Sequence, residues 1–97
     1  MAKIAVITPI KHLDGVVELL QSKGNVFLYE ESTKDEVRNL LLETDIDTLL
    51  CNPNQQTYKI DKELLEGTNV KLINTCSTGM NHIDVNYCNK NNIKIYS

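Results

Sequence analysis

Strand-like and helix-like apolar periods alternate along this chain with no hairpin signal between them, and that alternation restricts the fold more than any other feature. Ile4-Ala5-Val6-Ile7 is a continuous apolar run, the pattern of a strand covered on both faces. Leu13, Val16, Val17 and Leu20 then recur at i, i+3, i+4 and i+7, one face of a helix. Gly24 is expected to stop that helix by adopting the left-handed conformation other residues resist, and Val26-Phe27-Leu28-Tyr29 to form a second strand. Thr33-Lys34-Asp35-Glu36 has the form of a capping box, with Val37, Leu40 and Leu41 as the buried side of its helix. Thr48-Leu49-Leu50-Cys51 reads as the third strand. Asp61 caps a short helix through Leu64 and Leu65 that ends at Gly67, and Val70-Lys71-Leu72-Ile73-Asn74 is the fourth strand. Asp84 caps a helix running to about Lys90, and Ile93-Lys94-Ile95-Tyr96 is the fifth strand.

A series of this kind is a chain of βαβ units, and its strands pair in parallel. Right-handed crossovers place helices on both faces, and a sheet this short predicts the flavodoxin-like order 2-1-3-4-5. Ser97 directly follows the fifth strand, where a doubly wound domain hands over to a closing helix. The expectation is therefore a flavodoxin-like α/β segment of a longer protein, lacking its final helix. No internal repeat, low-complexity tract or linker interrupts it.

Composition supports one small soluble domain. Ninety-seven residues suffice for one core, and 41% hydrophobic with 24% charged residues is an ordinary globular balance. A net charge of −3 argues against nucleic acid or an anionic membrane as the main partner. No apolar run approaches the ~20 residues of a membrane span, and the N-terminus lacks a secretory h-region, so a cytoplasmic location is expected. Cys51, Cys76 and Cys88 share no metal-type spacing, which predicts buried thiols without a metal site or disulfide staples. No activating group stands beside Cys51 or Cys88 in the sequence.

Ligands of open parallel sheets bind at the carboxyl ends of the strands. Three exits there are rich in polar residues: Thr8-Pro9-Ile10-Lys11-His12, Asn52-Pro53-Asn54-Gln55-Gln56-Thr57-Tyr58, and Cys76-Ser77-Thr78-Gly79-Met80-Asn81-His82. The third suits an anion, because small residues around a glycine let backbone amides converge on a carboxylate or small phosphate. The same residues also suit a simple strand-to-helix turn that needs Gly79. Asn52, Asn54 and Gln55 are either ligand donors or caps of a turn at Pro53. His82 has no carboxylate at a diagnostic spacing, so an exposed or packing role is expected of it, and His12 is expected to be a solvated residue at a helix start. No GxGxxG follows the first strand and there is no Walker loop, so this segment is no dinucleotide- or nucleotide-binding unit by itself. The acidic cluster of a two-component receiver and the hydroxyl-rich first loop of a flavodoxin are missing too.

The stretch Leu72-Ile73-Asn74-Thr75-Cys76-Ser77-Thr78-Gly79-Met80-Asn81-His82-Ile83-Asp84, with Tyr87-Cys88 and Ile93-Lys94-Ile95-Tyr96, resembles the N-terminal part of the D-isomer-specific 2-hydroxyacid dehydrogenases. That family includes D-3-phosphoglycerate and D-lactate dehydrogenases. Its pattern of strand, glycine-containing small-residue turn, Asn or Asp, and Ile/Val-Asp places Asn81 and Asp84. The resemblance implies a two-domain NAD-dependent oxidoreductase in which residues 1–97 are a single substrate-domain segment, with the Rossmann domain beyond residue 97. It implies that backbone amides of Ser77, Thr78 and Gly79 hold the substrate's carboxylate, with Asn52 close by. The family's histidine–acid proton relay and its arginine have no matching positions here. The segment is therefore expected to carry no catalytic residue, to bind no NAD by itself and to be inactive alone. Its implied ligand is a small 2-hydroxy or 2-oxo acid, D-3-phosphoglycerate-like, and an uncovered apolar face implies a homo-oligomer. The different-class alternative is a self-contained, non-enzymatic module that uses the same turn for a small anion.

Overall fold

The computed structural model describes residues 2–8, 14–29, 33–52, 58–75 and 82–96. It contains β1 (Ala2–Val6), α1 (Val16–Lys23), β2 (Gly24–Leu28), α2 (Lys34–Thr44), β3 (Thr48–Cys51), α3 (Lys62–Leu65), β4 (Leu72–Thr75), α4 (Val85–Lys90) and β5 (Lys94–Tyr96). All pairings are parallel, in the order β2-β1-β3-β4-β5. The flavodoxin-like α/β fold and its strand order are those expected from the periodicity.

Helix starts follow the capping chemistry of the sequence. Thr33 and Glu36 exchange side-chain to backbone hydrogen bonds at 3.0 and 3.2 Å, completing the capping box of α2. The Asp61 carboxylate accepts from the Leu64 amide and that of Asp84 from the Tyr87 amide. Gly24 departs from expectation. Its φ of 177° is extended, and it begins β2 instead of ending a helix in the left-handed region. The glycine is needed for proximity: a Cβ there would lie 2.2 Å from the Ala2 carbonyl oxygen on the paired strand.

The two sheet faces differ. One buries Ala5, Ile7, Leu49, Cys51 and Ile73 against Val37, Leu40 and Leu41 of α2, Leu64 and Leu65 of α3, and Cys88 of α4. The other packs Ile4 and Val6 against Val16, Val17 and Leu20 of α1. Because side chains alternate along a strand, Leu50, Leu72, Asn74, Lys94 and Tyr96 share this second face. Leu50 and Leu72 are only half-buried, and Asn74, Lys94 and Tyr96 are exposed. Over β3 to β5 the second face is thus uncovered among the described residues.

Candidate functional site at the carboxyl edge

Register determines which chain exits are neighbours. Cys51 is the partner of Thr75, so the segments leaving β3 at residue 52 and β4 at residue 76 start side by side, about 5 Å apart. Ile7 donates to the Leu50 carbonyl at 3.0 Å, which carries the β1–β3 pairing up to Ile7. The three polar exits therefore leave from adjacent strands, as the predicted order requires.

Among the proposed site residues, Asn52 is half-buried at the end of β3 and engaged in an interaction within the chain. Ser77, Thr78 and Gly79 lie outside the described residues, as do Cys76, Asn81, His12, Asn54 and Gln55. Tyr58 is half-buried against the larger core cluster. The helix after the turn adds little positive end, since α4 has six residues and Asp84 already takes its Tyr87 amide.

The two edges of the sheet are built differently. At the amino edge the Asp47 carboxylate accepts from the Lys3 amide at 3.1 Å and the Thr48 hydroxyl at 2.7 Å. The Asp47 carbonyl accepts from the Lys71 and Leu72 amides, tying β3 to β4. At the carboxyl edge two buried side-chain atoms have no partner among the described residues, Thr8 Oγ1 and His82 Nδ1. Buried polar atoms are nearly always paired, and these two stand where the chain leaves β1 and where it re-enters after β4.

Of the exposed and packing roles expected of it, His82 takes the buried one. It is only 8% exposed, and its Nε2 lies 3.2 Å from Cys51 Sγ. Cys51 does have a neighbouring imidazole, 31 positions away, which no reading of local spacing reveals. Burial lowers the His82 pKa, so the ring is neutral at physiological pH. An imidazolium–thiolate pair would also bury two charges, so the contact is a neutral hydrogen bond and no activated nucleophile. Cys88 is a buried thiol pushed up to about 11 by desolvation and by the Asp84 carboxylate. Among the described residues no group of His, Cys, Asp and Glu is placed to hold a metal ion.

A parallel sheet with adjacent polar exits at its carboxyl edge is the open α/β architecture, a class of fold whose ligands sit at that edge. Residues 4–97 match the model of the D-isomer specific 2-hydroxyacid dehydrogenase catalytic domain, and the chain belongs to that family. Over 43 residues, 44% of this chain, it is 40% identical to an erythronate-4-phosphate dehydrogenase of Pseudomonas putida, a match covering 10% of that relative. A solved protein of Pyrococcus horikoshii OT3 superposes with a TM-score of 0.83 at 24% identity, over 98% of this chain and 27% of the other. An acyclic imino acid reductase solved with NADPH and D-Arg gives 0.75 at 25% identity, over 96% and 29%. The chain thus spans under a third of the length of these structural neighbours.

Proposed function

We propose that the chain is the first part of the substrate-binding domain of a nicotinamide-dependent oxidoreductase acting on D-2-hydroxy acids. In this reading the amides of Ser77, Thr78 and Gly79 grip the substrate carboxylate. Asn52, leaving the adjacent strand, donates to the same ligand. The observation that carries it is the pairing of Cys51 with Thr75, which sets these two exits side by side in a chain of this family. The named substrates of the relatives fit such a grip. Erythronate 4-phosphate carries a carboxylate, a 2-hydroxyl and a distant phosphate, which favours a phosphorylated acid such as D-3-phosphoglycerate over an unphosphorylated one.

The residues present do not fit a dinucleotide. The sequence that follows β1, Thr8-Pro9-Ile10, holds no glycine-rich motif to take a pyrophosphate, so NAD or NADPH is assigned to length that this chain does not span. The proton relay is assigned there as well, and the segment alone is inactive. The open face over Leu50, Leu72 and Tyr96 is covered by further chain in the whole enzyme and by a second copy when the segment stands alone. A cytoplasmic location is part of the proposal. No helix among the described residues is long and apolar enough to cross a membrane.

The test is an amide-shift titration of the 15N-labelled chain with D-glycerate 3-phosphate, D-erythronate 4-phosphate, NAD and NADPH in turn. The acids are expected to move Ser77, Thr78, Gly79 and Asn52, with dissociation constants of about 1 mM or weaker for so few contacts. Shifts caused by the nucleotides at the strand ends, or an equal response to inorganic phosphate, would refute the assignment; the latter outcome belongs to a plain anion module.

A further inference from the structure

His82 is a buried base with no acid to pair with among the described residues. Its ring is 8% exposed, with Nε2 3.2 Å from the Cys51 thiol and Nδ1 unpartnered. The acids beside it in the chain and beside Ile60 are engaged elsewhere. The Asp84 carboxylate accepts from the Tyr87 amide, and the Asp61 carboxylate accepts from the Leu64 amide and pairs with Lys34 at 3.0 Å. Lys59 is exposed, and the other titratable side chains on these elements are the phenols of Tyr58 and Tyr87 and the thiols of Cys51 and Cys88. Residues 53–57 and 76–81 add the Cys76 thiol and no acidic or basic side chain. Burial, and no charge among the described residues, lowers the pKa of the ring.

A proton changes what the ring needs. Neutral imidazole has one N–H donor, whereas imidazolium has two. With Nε2 at the thiol, the charged ring would hold a donor at Nδ1 that nothing accepts. A buried, unpaired charge costs far more than an unpaired neutral atom, so the charged ring must reach water. What yields is decided by how firmly each neighbour is tied. β3, which carries Cys51, is paired over three residues to β1 and over four to β4. Residues 82–84 are bridged across at Ile60, whose amide donates to the His82 carbonyl at 2.7 Å and whose carbonyl accepts from the Asp84 amide at 2.9 Å. That bridge, Ile60 to Ile83, stands isolated from the five strands. It is the weaker of the two attachments, and burial of both isoleucines holds it shut while the ring is neutral.

We infer that His82 and the Ile60–Ile83 bridge form a proton-operated latch: one proton on the ring parts residues 82–84 from Ile60 while the sheet stays paired. The device is independent of the carboxylate reading, and it makes the response to acid local before it is global.

Hydrogen exchange of the 15N-labelled chain at pH 7.5 and 5, with rates corrected for the intrinsic pH dependence, tests this. The Ile60 and Asp84 amides report the bridge, and the Ile7 amide, bonded to the Leu50 carbonyl at 3.0 Å, reports the sheet. If opening frees a ring with the ordinary pKa of 6.5 and the closed ring stays neutral, protection of Ile60 and Asp84 should fall about 30-fold between the two pH values. At pH 5 it should also lie below that of Ile7 and be insensitive to urea kept below the unfolding transition, since a local opening exposes little surface. His82→Gln, whose side chain takes up no proton, should show the same protection at both pH values. Ile60 and Asp84 exchanging with the rate and urea dependence of Ile7 would put the proton effect in global unfolding and overturn the latch, as would protection unchanged by pH. Should His82→Gln not fold, the pH and urea series of the unmodified chain decides alone.

Discussion

Replacing Gly24 with alanine tests whether close approach, and not backbone conformation, explains that glycine. The added Cβ would meet the Ala2 carbonyl oxygen at 2.2 Å and its carbon at 2.9 Å, both backbone atoms that cannot rotate away. Gly24 pairs with Ala2 at the first rung of the β1–β2 ladder, so relief requires parting the edge strand from β1. Forcing extra volume into fixed surroundings costs about 1–3 kcal/mol, and a backbone obstacle puts this case near about 3. Gly15 and Gly67 supply the control. Their φ values are 78° and 80°, and nothing lies closer than 4.0 Å to a Cβ at either position. Alanine at those sites meets only the left-handed penalty, about 1–2 kcal/mol. For a domain of this size 1 kcal/mol moves the melting temperature by about 4–8 °C. Thermal unfolding by circular dichroism should therefore show Gly24→Ala lowered by about 12–24 °C, clearly more than Gly15→Ala or Gly67→Ala. A Gly24→Ala midpoint no lower than that of Gly15→Ala would refute the steric account.

Three further outcomes follow from capping and from the two perturbed groups. Thr33→Ala removes one arm of the capping box and should cost about 1 kcal/mol in urea unfolding, with the m-value unchanged. The His82 pKa is lowered by burial, so the unfolded chain takes up a proton that the folded chain refuses. Stability is then full above the ordinary value of 6.5 and declines as pH falls below it, an effect absent in His82→Gln by denaturant titration at pH 5 and 7.5. The Cys88 thiol behaves oppositely: raised to about 11, it favours the neutral form in the fold. Stability is lost as pH rises from about 9 toward 11, and iodoacetamide at pH 8.5 should label Cys88 only after denaturant is added.

How much was legible in the sequence depended on the range of the interaction. Element order, strand order and three helix caps follow from periods of two and 3.6 and from Thr33, Asp61 and Asp84, all local signals. Strand ends were less legible. β1 begins at Ala2, ahead of the apolar run at Ile4, because Ala2 and Lys3 pair with Gly24 and Asn25 of β2. Gly24 was read for its conformation when its role is proximity, which depends on a residue in a different strand. The same holds for His82: its neighbour Cys51 is brought to it by the crossover between β3 and β4. Sequence could have signalled only that a histidine and a cysteine end consecutive units. Composition and family pattern point to Ser77 to Gly79 as the candidate grip, which lies outside the described residues, while the Cys51–His82 contact carries no signal of that kind.

The uneven covering of the sheet makes the final prediction, because neighbouring residues on one strand face opposite conditions. Ile73 is fully buried beneath the α2–α4 layer, whereas Leu72 is half-buried on the face that α1 leaves open. Truncating Ile73 to alanine in a dense core should cost about 2–5 kcal/mol. Leu72→Ala on a face that stays open should cost about 1 kcal/mol or less, since little apolar surface was withdrawn from water. A second copy docked over Leu50, Leu72 and Tyr96 changes the arithmetic. Leu72→Ala would then lose the apolar contact at the interface, and its cost would grow with protein concentration as mass action populates the dimer. Urea unfolding of both variants at about 5 and about 500 μM separates the cases, with sedimentation run alongside. A Leu72→Ala penalty that rises with concentration and a dimer weakened by the substitution support self-covering of the open face. A small, concentration-independent penalty in a monomer would refute it.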